Sequence, residues 1–143
     1  MKKIFLSDLS QIISSFSCTE DSFRERLLQY RLMGILPFAD KAGKFSTNNA
    51  IISQSDYLFG FFDPEDMQSV WNFSFAVQNN IPVFAFYPDI TNIRNLDPFV
   101  FDRLQTIHVY STAEGAFKSL MTELQTELAE SETVLPELSF MLL

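Results

Sequence analysis

Residues 51–89 read IISQSDYLFGFFDPEDMQSVWNFSFAVQNNIPVFAFYPD, and this stretch decides the fold. Tyr57 to Phe62 is a continuous apolar run of strand length, the pattern of a strand covered on both faces. Asp63, Pro64 and Glu65 make an acidic turn, and Asp66 is placed to cap a helix that ends at Asn79-Asn80. Pro82 then opens a second apolar strand, Val83 to Tyr87. Along the helix, Asp66, Ser69 and Asn72 stand at i, i+3 and i+6, so they share one face near its start. The rest is apolar almost all round, with Val70, Trp71, Phe73, Phe75, Ala76 and Val77. A buried helix that keeps one polar strip at its N-terminal end commonly turns that strip to a cavity or ligand.

Working outward, Lys3 to Ser7 (KIFLS) is another short apolar run of the buried parallel type. Asp8 to Cys18 is either a long loop or a weak helix. Thr19 caps a helix with Glu20 and Asp21 in its first turn; Phe23, Leu27, Leu28 and Tyr30 face the core, and Gly34 ends it. Ile35 to Ala39 is the second strand, at an edge because of Pro37. Lys41 to Phe45 is a loop, and a short helix from Ser46 or Thr47 runs through Ser55. After Tyr87 a loop carries Phe99, Val100 and Phe101 back onto the core. Thr106 to Tyr110 is the last strand. Ser111 and Glu114 form a capping box for a long helix with the stripe Phe117, Leu120, Met121, Leu124 and Leu128. The segment from 131 to 143 is an apolar tail, expected to pack on the body or on a second subunit.

Strands alternating with helices predict a single α/β domain over residues 1–143, a three-layer sandwich around a parallel sheet of right-handed crossovers. Five strands in a chain this size predict the order 2-1-3-4-5, with the strand order reversing between the first and third strands. Ligands sit at the carboxyl ends of strands at such a reversal. The groups there are Ser7 and Asp8, then Asp63, Glu65 and Asp66, beside the Ser69 and Asn72 strip. Helix periodicity and sheet topology thus point to one crevice. Each residue also has a local use: Asp66 as a cap, Asp63 and Glu65 as turn residues, Ser69 and Asn72 as partners of nearby backbone.

Composition narrows the function. Hydrophobic residues make up 47% of 143, including sixteen Phe, which excludes a disordered chain. A net charge of −8 argues against a nucleic-acid polymer or an anionic membrane surface as partner. Cys18 is the single cysteine and His108 the single histidine. An internal disulfide and a four-ligand zinc site are therefore excluded, and no cofactor or metal is expected. Cys18 and His108 fall in different segments, against a nucleophile–base pair. The opening apolar run breaks at Ser7 and Asp8, and no stretch reaches membrane-span length, so a cytoplasmic protein is expected.

The segment from Ile51 to Tyr87 resembles the nucleoside 2-deoxyribosyltransferase superfamily. The family signature runs Asp-x-Gly-Thr-x-x-Glu-x-Gly-x-Ala into a Lys/Asn-x-Pro-Val strand. Here Asp66, a hydroxyl at Ser69, Ala76, Asn80, Pro82 and Val83 keep the frame. The opening strand IFLSD is similar too, with Ser7, Asp8 and Leu9 where the family has a Gly-Pro turn. The resemblance implies a flavodoxin-like sheet, a nucleoside- or nucleotide-like ligand, and a homodimer or higher oligomer. It departs at the chemistry: Asn72 stands where the family has its attacking glutamate, and Gln68 and Ser74 replace both glycines. A neutral amide is a far poorer nucleophile than a carboxylate. The implied function is ligand binding without covalent glycosyl transfer. The alternatives are a protein–protein interaction module, or an atypical N-glycoside transferase or hydrolase using Asp63, Glu65 or Asp66. A phosphoacceptor receiver is set aside, because Tyr110, Ser111 and Thr112 stand where it needs a lysine.

Overall fold

The computed structural model describes residues 1–37, 44–88 and 107–133, side chains at 44–47 and 128–133 excepted. Its strands are β1 (Lys2–Ser7), β2 (Leu32–Ile35), β3 (Tyr57–Phe61), β4 (Val83–Phe86) and β5 (Val109–Tyr110). They pair in parallel in the order β2-β1-β3-β4-β5. The helices are α1 (Leu9–Phe16), α2 (Glu20–Gln29), α3 (Lys44–Ser53), α4 (Met67–Gln78) and α5 (Ala113–Thr133).

Strand alternation divides the core into two layers. Ile4, Leu6, Tyr57, Phe59, Phe84 and Phe86 face one side and pack with Ile12, Phe23, Leu27, Phe117 and Leu120 of α1, α2 and α5. Phe5, Leu58 and Ala85 face the other and pack with Ile52, Val70, Phe73 and Ala76 of α3 and α4. Side chains that alternate between two helical layers are what a doubly covered parallel sheet requires. The result is the expected α/β flavodoxin-like sandwich. Aromatic rings lock each layer: Phe59 meets Phe117 edge-on at 5.7 Å, and Phe62 meets Phe73 at 5.2 Å.

Several local expectations are corrected. The second strand is Leu32–Ile35, not Ile35–Ala39. Helix α2 stops at Gln29, and Arg31 takes a left-handed φ of 59°, so the chain turns before Gly34 is reached. The Lys2 N–H then donates to the Arg31 carbonyl at 3.2 Å, which sets Leu32 beside Lys2. Gly34 lies inside the strand because α2 packs closely there. A Cβ at 34 would come within 2.8 Å of Leu6 Cδ1 and 3.3 Å of Leu27 Cδ1. Leu28 and Tyr30 are consequently exposed, while Phe23 and Leu27 are buried as expected.

Of the two readings of Asp8 to Cys18 the helix holds over Leu9–Phe16, with Asp8 as N-cap and Ser17 as a left-handed C-cap. Helix α3 starts at Lys44 and ends at Ser53, and β5 is shorter than TIHVY. Thr112, not Ser111, caps α5: its Oγ1 accepts from the Gly115 N–H at 3.0 Å. Glu114 is thereby free of the cap and pairs with Arg26 at 3.8 Å. Residues 99–101 and 134–143 lie outside the described residues, and 131–133 are the last turn of α5. Among the described residues no helix is long and apolar enough to cross a membrane.

Candidate functional site

The carboxyl ends of β1 and β3 lie side by side, with Ser7 in register with Gly60. This contact is tight. A Cβ at position 60 would stand 2.1 Å from the Ser7 carbonyl oxygen, so only glycine lets the two strands close here. Ser7 is buried, and both residues follow Phe5 and Leu58 in alternation, toward the α3–α4 layer. Ser7 and Gly60 therefore mark the strand reversal that the sheet order implies, the place where an open parallel sheet commonly takes a ligand. Gly60 is the site-building residue that sequence reading passes over; its signal is a lone glycine inside an apolar strand.

The turn from β3 to α4 is closed by Ser69. Its Oγ accepts from the Asp63 N–H at 2.9 Å and reaches the Phe61 carbonyl at 3.5 Å. Asp63 Oδ1 accepts in turn from the Glu65 N–H at 3.0 Å, a local side-chain turn. Asp66 caps α4 through Oδ1, which accepts from the Gln68 N–H at 3.0 Å. Asp8 caps α1 and accepts from the Gln11 N–H at 3.3 Å and the Ser10 hydroxyl at 2.9 Å. Asp8, Asp63 and Asp66 thus have resident structural partners, and the Glu65 side chain is exposed.

Asn72 differs from these. It is 3% exposed, on a helix face otherwise given to core packing, and its Oδ1 accepts from Gln68 Nε2 at 2.9 Å. Gln68 leaves its own Oε1 buried without a partner. One turn of α4 thus carries a pair of amides, one with an unused acceptor. Buried polar atoms are nearly always paired, so an orphan acceptor costs about 1–3 kcal/mol unless something supplies a donor. The spacing i, i+4 that brings Gln68 onto Asn72 is visible in the sequence.

The structure therefore brings Asp63 to Ser69 and Gln68 to Asn72. It turns Asp8 and Asp66 to their own helix ends. Segments 38–43 and 89–106, which leave the carboxyl ends of β2 and β4, lie outside the described residues. Among the described residues no three histidine, cysteine or acidic side chains converge as metal ligands. Cys18 packs against the core, and His108 stacks on Tyr110 at 4.3 Å.

No protein-family model matches this chain, and no curated protein matches it either. The fold class rests on the sheet order and the two helical layers.

Proposed function

We propose that this is a nucleoside 2-deoxyribosyltransferase-like protein that holds a nucleoside, nucleotide or related ribosyl ligand at the carboxyl rim of β1 and β3. In this reading it does not carry out covalent glycosyl transfer. The observation that carries the proposal is the buried amide of Asn72, held by Gln68 one turn into α4. Retaining transfer needs a carboxylate to attack the anomeric carbon and a proton donor for the leaving base. An amide at that place is a hydrogen-bonding group without the charge the attack requires. The unused Gln68 Oε1 supports a ligand that brings a donor, such as a sugar hydroxyl or an exocyclic amine.

The acidic groups of the rim offer little to the alternative in which Asp63, Glu65 or Asp66 replaces the nucleophile. Asp63 and Asp66 accept backbone N–H bonds that shape the turn itself. Recruiting either would open the β3–α4 connection. A cytoplasmic location and a homo-oligomeric state belong to the same proposal.

The test is a joint one. The protein is incubated with a 2′-deoxynucleoside and a second free base, and its melting temperature is followed with the same nucleosides. The expected result is a raised melting temperature, because a ligand of the native state stabilises it, with no base exchange. Brisk exchange contradicts the lost covalent step, and no shift at millimolar ligand contradicts the binding.

A second reading, a protein-interaction module, is favoured by α4's outer face. Met67 and Trp71 stand at i and i+4, 58% and 47% exposed. Exposed large apolar residues in succession on one helix face are a common mark of an interface. Replacing Met67 with Lys and measuring both mass in solution and the nucleoside-induced melting shift separates the two: loss of an assembly with no shift in either protein supports this reading, and a shift kept by the variant leaves the ligand reading in place.

A further inference from the structure

At the amino ends of the strands, between the end of α2, the start of β1 and the face of α5, lies a hollow of about 670 Å³. That size lies within the range of about 300–1,000 Å³ typical of small-molecule sites. Its walls are mostly apolar, with Tyr30, Met121 and Leu124 among them, and charged and amide side chains line it as well. Methionine walls adapt to the shape of an aliphatic guest.

The charges around it are unevenly satisfied. Lys2 Nζ, the Glu127 carboxylate and the Tyr57 hydroxyl hydrogen-bond one another and form a closed set. Arg31 also lines the hollow, is exposed, and has no ion-pair partner among the described residues. Gln29 and Gln125 line the hollow too, each with an amide able to donate. A chain of net charge −8 thus lines an apolar hollow with a cation that has no ion-pair partner among the described residues, and with two amides. A guanidinium matches a carboxylate in a two-pronged contact. The apolar depth excludes a bare inorganic anion as the fitting guest.

From this juxtaposition we propose a second binding site, at the amino ends of the strands, for an aliphatic or aromatic monocarboxylate whose apolar body fills the hollow and whose head group meets Arg31. The proposal is independent of any ligand at the carboxyl rim.

Titrations of the full chain with decanoate, decanol and decyltrimethylammonium test it, each kept below its micelle concentration. Decanoate is expected to bind at least about tenfold tighter than the cation, and tighter than the alcohol. Arg31→Gln and the rim variant Gln125→Glu are each expected to weaken decanoate binding by about tenfold while leaving the melting curve of the free protein unchanged. Added salt is expected to weaken it as well. Equal affinity for the three amphiphiles, no binding of decanoate, or indifference to both substitutions overturns the proposal. So does binding that appears only after residues 134–143 are deleted, since that apolar segment would then be the occupant.

Discussion

Gln68 donates from Nε2 to Asn72 Oδ1 over 2.9 Å, and both amides lie within the first two turns of α4. The pair is buried at Asn72, and removing either member strands the other. Asn72→Ala is therefore expected to cost about 1–3 kcal/mol of stability, read from urea unfolding. A loss under about 0.5 kcal/mol would mean that water reaches the Gln68 amide and that the pair is a surface feature.

Ser7 and Gly60 set a second constraint. A methyl at position 60 collides with backbone, which cannot rotate away as a side-chain tip can. Gly60→Ala is expected to destabilise by about 3 kcal/mol or more, toward the upper end for overpacked sites. Gly115→Ala, with no contact closer than the 3.1 Å to Thr112 Oγ1, serves as the mild control. Equal losses in the two variants would contradict the close approach of β1 and β3.

Asp8 separates capping from ligand binding. It sits at a left-handed φ of 63° and its carboxylate holds the first turn of α1. Asp8→Asn keeps both the acceptor and the tolerance for that backbone, so stability should move by less than about 0.5 kcal/mol. Asp8→Ala loses both and should cost about 1–2 kcal/mol in the same urea measurement. A nucleoside-induced rise in melting temperature that survives Asp8→Ala would assign Asp8 to the cap rather than the ligand.

The Lys2, Tyr57 and Glu127 set gives a pH dependence. Burial pushes the Glu127 carboxyl up, but hydrogen bonds from Lys2 and Tyr57 outweigh it and hold it below the ordinary carboxylate range. Burial, together with the bond to Glu127, pushes the Tyr57 hydroxyl up to about 12. Lys2 is raised too, chiefly by its bond to Glu127. A carboxylate held low binds fewer protons folded than unfolded in mild acid. Its contribution is present above the ordinary carboxylate range and disappears as pH falls through the lowered value. The raised Tyr57 and Lys2 contribute below their ordinary values and lose that contribution as pH rises through the raised ones. Because the Lys2 side chain is 46% exposed, water screens the pair and its worth is about 0.5–1 kcal/mol. Glu127→Gln should show that deficit at neutral pH and lose it as pH falls through the lowered value. A deficit that persists in strong acid would contradict the ion pair as its source.

The sheet was legible because YLFGFF and VFAFY are strand-length apolar runs around one helix, and that period admits few folds. The second strand was not. Gly34 carries the usual helix-stop signal, yet Arg31 performs the left-handed turn and Gly34 is spent on packing against Leu6 and Leu27. Ser111 and Thr112 are adjacent hydroxyls, and sequence alone does not choose the cap between them. At the start of α4, the polar strip was readable from the spacing of Ser69 and Asn72, both of them buried. The backbone bonds of Asp63 and Ser69 depend on how the turn closes, which spacing does not specify.

Asn72→Glu tests the central claim most directly. It restores the carboxylate that attack on an anomeric carbon needs, at the place where the native chain has an amide. Native protein and variant are incubated with a 2′-deoxynucleoside and the released base is measured by chromatography. Release by the variant alone is the expected result. Release by the native protein at a comparable rate, or by neither protein, would contradict a ligand site disabled at this one residue.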